Sequence, residues 1–183
     1  MHPRPCIRTR LLTVLLWTTA SNGHEAAGRG EQLGTVHFPV SCNAAAQAQF
    51  DRAAALLHSF WFTPAIKTFH AVLELDPTCA MAHWGVAMSL LGNPFAWPLP
   101  PKALKEGWAA VEKARASGAK TPREQAYITA IAAFYQDAET VEHHTRALAY
   151  ERALEQLAQQ FPDDPEANIF YALALTATAL PTD

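Results

Sequence analysis

Cysteine, histidine and carboxylate side chains are the candidates for chemistry in this chain of 183 residues. Cys79 and His83 are four residues apart, so a helix would place both on one face, where they could ligate a metal ion. A metal centre needs further ligands. The chain has no second pair at a fixed spacing, no carboxylate set beside this one, and neither an H-E-x-x-H nor a C-x-x-C motif. We therefore predict no metal ion and no cofactor.

Nucleophilic catalysis is not indicated either. The sequence contains no G-x-S-x-G motif and no glycine-rich phosphate loop. His58 and Ser59 are adjacent, so on a helix their side chains face different directions. Glu151 and Glu155 have the i, i+4 spacing that is typical of a solvated helix face. We predict no catalytic residue.

The composition favours a buried helical protein that does not bind nucleic acid. Half of the residues are apolar and only 17% are charged, which fits helices that are covered on more than one side. The formal net charge is −3 and there is no basic run. We therefore predict no nucleic-acid partner.

Residues 1–20 have the three parts of a secretory signal peptide. A positively charged start precedes the apolar run of residues 11–17, and small residues up to Ala20 could form a cleavage site. The run is shorter than the roughly 20 residues that span a bilayer, so the mature chain is expected to have no membrane span. The alternative is a disordered basic tail on a cytoplasmic protein. We predict export, followed by a mobile leader over residues 21–42.

Proline and glycine divide the remaining sequence into helices with apolar stripes. Asn43 is a suitable N-cap for the first helix, and Thr121 with Pro122 and Glu124 is suited to start the fifth. The predicted helices cover residues 44–60, 64–76, 78–91 and 102–117, a fifth that starts after Thr121, and residues 141–161 and 166–180. Between the third and fourth, residues 95–101 are expected to be extended because three prolines disfavour helix.

Short motifs around the second and third helices resemble the tetratricopeptide repeat (TPR). They are the small–aromatic pair Ala65 and Phe69, the helix end at Pro77, and the pair Trp84 and Gly85 in the next helix. The sequence departs from the motif at Phe60, where glycine is usual. More narrowly, residues 34–42, 56–60, 76–85 and 171–175 resemble the N-terminal part of a longer family of bacterial repeat proteins that are predicted to be exported and have no settled activity.

The resemblance implies an all-α fold, an α-α superhelix of stacked antiparallel helix pairs, incomplete at the C-terminus. The domain would cover residues 43–183, with three complete pairs and one half. Stacking would bring the starts of the first and third helices side by side, and with them Cys42 and Cys79, 37 residues apart. We predict a disulfide between them; the alternative is two unpaired thiols.

Two surfaces are candidates for partner contacts. Phe95 and Trp97 could dock a peptide, or they could fill the gap left by a longer repeat. The apolar last helix could expose a patch that drives self-association. The predicted function is an exported, non-catalytic scaffold that binds a protein or peptide on its concave side. The alternative is the N-terminal part of a larger, metal-dependent enzyme whose active residues lie outside this chain.

Overall fold

The computed structural model describes residues 33–179, and within that range it contains seven α-helices, one turn of 3-10 helix and no strand. The helices are α1 (Ala44–His58), α2 (Phe62–Leu75), α3 (Ala80–Leu91), α4 (Pro101–Ser117), α5 (Pro122–Tyr135), α6 (His143–Gln160) and α7 (Pro165–Thr178), and the 3-10 turn is Pro94–Ala96. The all-α prediction is confirmed. The predicted signal peptide, residues 21–32 and residues 180–183 lie outside the described range.

Each helix packs against the next one in the chain, and α3 also contacts α1 and α5. This arrangement is compatible with a stack of helix pairs. Within residues 33–179, no helix combines the length and the apolar character needed to cross a membrane.

Local sequence signals account for where the helices begin. Asn43 Oδ1 accepts a hydrogen bond from the Ala46 amide at 3.0 Å, and Thr121 Oγ1 accepts one from the Glu124 amide at 3.2 Å. Both bonds satisfy an amide that has no partner within its own helix. Pro122 occupies the first position of α5, where a missing N–H costs little.

Two of the repeat-signature residues, Phe69 and Gly85, meet at the contact between α2 and α3. Ala65, Phe69 and Trp84 are buried, while Pro77 is exposed in the turn between the two helices. Gly85 lies directly under the Phe69 ring, so close that a Cβ on Gly85 would overlap the ring. Glycine is therefore required by close packing at this point, and backbone flexibility is not the reason for it.

Residues 36–42, which we call the N-terminal segment, differ from the prediction of a mobile leader. The Phe38 side chain is fully buried, and Val36, Val40 and Cys42 pack against the core. Residues 36–42 therefore pack with the helical domain, which we predicted to begin at residue 43. The reason is tertiary: an extended segment with one aromatic anchor lies against the helices that follow it.

The stretch between α3 and α4 also differs from the prediction in part. Residues 94–96 form a 3-10 turn that Asn93 caps, because its Oδ1 accepts the Phe95 amide hydrogen at 3.0 Å. The peptide bond between Trp97 and Pro98 is cis.

Replacing Gly85 with alanine tests the close packing of α2 on α3. Alanine favours helix over glycine by about 1 kcal/mol, but the added methyl group would clash with a fully buried ring. We expect Gly85→Ala to lower the free energy of unfolding by roughly 1–3 kcal/mol, measured by urea denaturation. Gly34→Ala is the control, since a Cβ there meets nothing within 4 Å. Equal stability of the two variants would contradict the packing argument.

Candidate functional site

The helices α1, α3, α5 and α7 share one surface, here called the inner surface, and aromatic rings fill its centre. The Trp84 ring lies 5.4 Å from Phe38, 5.3 Å from Tyr127 and 5.6 Å from Phe170, measured between ring centroids. All four side chains are buried. We expected an open groove here, but the protein's own aromatic side chains occupy the middle of it.

Beyond the aromatic centre lies an apolar pocket of about 450 Å³. It is enclosed by the C-terminal ends of α1 and α3, by the 3-10 turn and by α7. Its apolar lining comprises Leu57, Phe60, Phe62, Met88, Leu91, Pro94, Trp97, Ile169, Phe170 and Leu173. A concave site of this size with an apolar lining and few polar groups is the usual form of a ligand or anchor pocket.

Phe60 stands at the edge of this pocket in a backbone conformation that is unusual for a large residue. Its φ angle is +59°, and 46% of the residue is exposed. The Phe60 amide donates to Leu57 O and the Trp61 amide donates to Leu56 O, each at 3.0 Å. These two bonds form the Schellman motif that ends many helices, in which glycine normally takes the position of Phe60. Phe60 therefore has backbone strain that glycine would not have at this position.

The structure separates the two residues predicted to contact a partner. Phe95 is 61% exposed, next to the pocket residue Pro94. Trp97 packs on Phe134, with 4.7 Å between ring centroids, and its Nε1 donates to Leu91 O at 3.1 Å. Trp97 therefore fills the space between α3 and α5, as in the alternative interpretation, while one part of it still lines the pocket.

A histidine–carboxylate pair adjoins the pocket, whose wall includes the His58 side chain. His58 Nε2 lies 2.7 Å from Glu166 Oε2, and the imidazole stacks on the Phe170 ring at 5.4 Å. Glu166 is buried at the start of α7. The pair joins the end of α1 to the start of α7, and its two residues are 108 positions apart in the sequence.

Arg123 and Asp164 form a second polar cluster beside the first, since the Glu166 amide donates to Asp164 Oδ1 at 3.2 Å. Arg123 Nε donates to Asp164 Oδ2 at 2.6 Å, and the Tyr127 hydroxyl donates to the same oxygen at 2.8 Å. Burial alone would raise the pKa of Asp164, but these two hydrogen bonds and the positive charge of Arg123 outweigh it and hold the pKa below its ordinary value. Burial and the Asp164 carboxylate raise the pKa of Tyr127 far above its usual range.

Cys42 and Cys79 form a disulfide, with 5.1 Å between their Cα atoms. The bond links the N-terminal segment to the start of α3 across 37 residues, a loop length for which chain entropy gives roughly 3–4 kcal/mol of stabilisation. Because Cys79 is in this bond, it cannot act with His83 as a thiolate ligand for a metal. Burial and neighbouring positive charges lower the pKa of His83.

The other candidates for chemistry are not brought together. Within residues 33–179, no group of three or more histidine, cysteine or acidic side chains could hold a metal ion. The Ser59 hydroxyl donates to Ala55 O at 2.8 Å, at the end of its own helix.

Sequence reasoning missed Phe38, His58 and Glu166 as parts of the inner surface. The phenylalanine–proline pair in a predicted leader was a signal for Phe38; the other two carry no local signal, because their contact is long-range.

Comparison with known proteins adds no identification. The chain matches no protein-family model, no curated protein and no solved structure.

The Asp164 cluster predicts acid sensitivity. A carboxylate with a lowered pKa in the folded state stabilises the protein above its unfolded pKa of about 3.8 and loses that contribution as the pH falls through the folded value. Asp164→Asn keeps the side-chain shape and a cap oxygen for α7 but removes the charge. At about pH 6 we expect it to lower the free energy of unfolding by roughly 2–3 kcal/mol.

Measured by urea denaturation, this difference from the unsubstituted protein should shrink as the pH falls below about 3.8. Asp163→Asn, which changes an exposed neighbour, is the matched control and should have little effect at any pH. A difference for Asp164→Asn that does not depend on pH would show that the charge is unimportant.

Proposed function

We propose that this protein is an exported, TPR-like scaffold that binds a protein or peptide partner without catalysis. The observation that carries the proposal is the apolar pocket between α1, α3 and α7, with Phe60 at its edge and Phe95 beside it. Large apolar anchors inserted into such pockets provide most of the binding energy at many protein interfaces.

The position of the pocket supports a role in binding. Its walls are parts of helices that also pack against their neighbours in the chain, so its shape is set by the fold before any partner arrives. A preformed site loses little conformational entropy on binding. Half-exposed aromatic and aliphatic side chains, among them Phe60, Phe95 and Ile169, are available to extend the contact around an inserted side chain.

Export is compatible with two features of the described residues. The disulfide between Cys42 and Cys79 persists in oxidising compartments outside the cytoplasm. No helix in residues 33–179 could span a membrane. Together with the signal-like sequence of residues 1–20, these features support a secreted or periplasmic protein.

A displayed peptide library tests the binding proposal. We expect panning on the folded protein to enrich peptides with aromatic or aliphatic anchors. Ala172→Trp, which fills the pocket from α7, should weaken their binding by about 30-fold or more, as measured by isothermal titration calorimetry. Ala149→Trp, at an exposed position of α6, is the matched control. Failure to enrich any peptide, or equal binding by both variants, would contradict the proposal.

Phe60→Gly separates the role of the aromatic side chain from stability. Glycine adopts the positive φ angle without strain, and the ring is only half-buried, so the two effects on stability oppose each other. We expect the free energy of unfolding to change by less than about 1 kcal/mol, while the affinity for enriched peptides falls at least about 10-fold. If the variant is stable and its affinity for the peptides is unchanged, Phe60 is not part of the binding site.

A further inference from the structure

The N-terminal segment lies on the inner surface in the way an extended peptide lies in a binding groove. The Phe38 ring is fully buried against three helices, 5.5 Å from Phe50 of α1, 5.4 Å from Trp84 of α3 and 5.2 Å from Tyr127 of α5. The Arg123 guanidinium covers the ring from the outside, 4.6 Å from its centroid. Phe38 thus acts as an anchor side chain in an aromatic pocket.

Side chains of α1 recognise the backbone on both sides of this anchor. Asp51 Oδ1 accepts the Phe38 amide hydrogen at 3.0 Å, and Gln47 Nε2 donates to Phe38 O at 2.8 Å. Gln47 Oε1 also accepts the Val40 amide hydrogen at 3.0 Å. These bonds hold an extended backbone and do not depend on which residue follows the anchor.

Side chains at the start of α5 hold the other edge of the segment. Arg123 Nη1 donates to Pro39 O at 2.9 Å. Glu124, which is buried, accepts from the Ser41 amide and from the Ser41 hydroxyl, each at 2.6 Å. A buried carboxylate that takes its partners from a separate segment needs those partners, because an unsatisfied buried charge is costly.

The covalent attachment allows this segment to leave without unfolding a helix. From residue 36 to residue 41 every contact with the helices is a hydrogen bond or a packing contact, and the disulfide at Cys42 fixes the end from which the segment extends. Cys42 precedes α1, which begins at Ala44. Movement about Cys42 would therefore expose the groove while α1, α3 and α5 stay in place.

We propose that the N-terminal segment is an intramolecular peptide ligand that covers a second binding site. The site takes an extended peptide with an aromatic residue followed by proline, and the partner is a segment of another protein with that chemistry. This site is separate from the apolar pocket and does not depend on the partner proposed for it. Occupation by the chain's own segment keeps the aromatic groove covered until a competing peptide replaces it.

The experiment removes the Phe38 side chain from the groove and tests whether a peptide in solution binds in its place. Phe38→Ala removes the anchor, and the acetylated and amidated peptide of residues 34–41 is titrated into this variant by calorimetry. We expect one peptide to bind per chain, and a peptide with alanine in place of its phenylalanine to bind at least about 30-fold more weakly. The unsubstituted protein should bind neither, because its own segment is present at high effective concentration.

Leu75→Ala is the matched control: it removes an exposed apolar side chain outside both sites, leaves the groove covered and should not bind the peptide. If Phe38→Ala is folded by circular dichroism and does not bind the peptide, the proposal is overturned. Binding that is equally tight for the peptide without phenylalanine would overturn it too.

Hydrogen exchange on the unsubstituted protein provides a test that does not rely on the variant folding. We expect the Phe38 and Val40 amides to exchange at least about tenfold faster than the central amides of α3, since the segment opens locally. If these amides exchange only at the rate of global unfolding, the segment is an integral part of the core and the proposal fails.

Discussion

The burial of the Trp84 indole against three other aromatic rings is the contact on which the inner surface depends. Phe38, Tyr127 and Phe170 come from the N-terminal segment, α5 and α7, and each lies within 5.6 Å of the indole, centroid to centroid. Aromatic side chains bury large areas and prefer tilted or edge-to-face contacts, which the angles of 43–77° between these rings provide. The indole thus sets how close the first helices of successive pairs lie.

Polar contacts then join α7 to the other elements around the aromatic centre. Arg123, Glu124 and Asp164 hold the N-terminal segment and the start of α7. Two residues after Asp164, Glu166 pairs with His58 and joins α7 to α1. Buried carboxylates of this kind contribute less to net stability than to fixing one arrangement, because each must find its own partners. The apolar pocket lies beyond the second of these contacts, where the packing is incomplete.

Local patterns were sufficient to predict most of the fold. The caps at Asn43 and Thr121 and the proline at position 122 gave the starts of α1 and α5, since these signals act within one turn of helix. The pairing of Cys42 with Cys79 followed from the expected stacking of helix pairs, whereas the close contact between Phe69 and Gly85 was not predicted. When each helix packs against the next one in the chain, the order of the helices is nearly enough to predict which helices are in contact.

The candidate sites were harder to predict, because contacts between distant parts of the chain create them. Residues 36–42 have no helical periodicity and follow a stretch rich in glycine and alanine, so the sequence indicates a leader; the burial of Phe38 depends on rings supplied by α1, α3 and α5. For Phe95 and Trp97, composition alone could not separate an exposed ring from one that packs on Phe134.

The Arg123 side chain has a consequence for how this domain unfolds. It contacts a carbonyl 84 residues earlier in the chain and a carboxylate 41 residues later, so it ties the first described residues to the last helix. Stacked repeats whose units touch only their neighbours can lose structure progressively from one end. The bond to Asp164 instead couples α5 to the start of α7, so these helices should melt as one cooperative unit, while the N-terminal segment can still open locally.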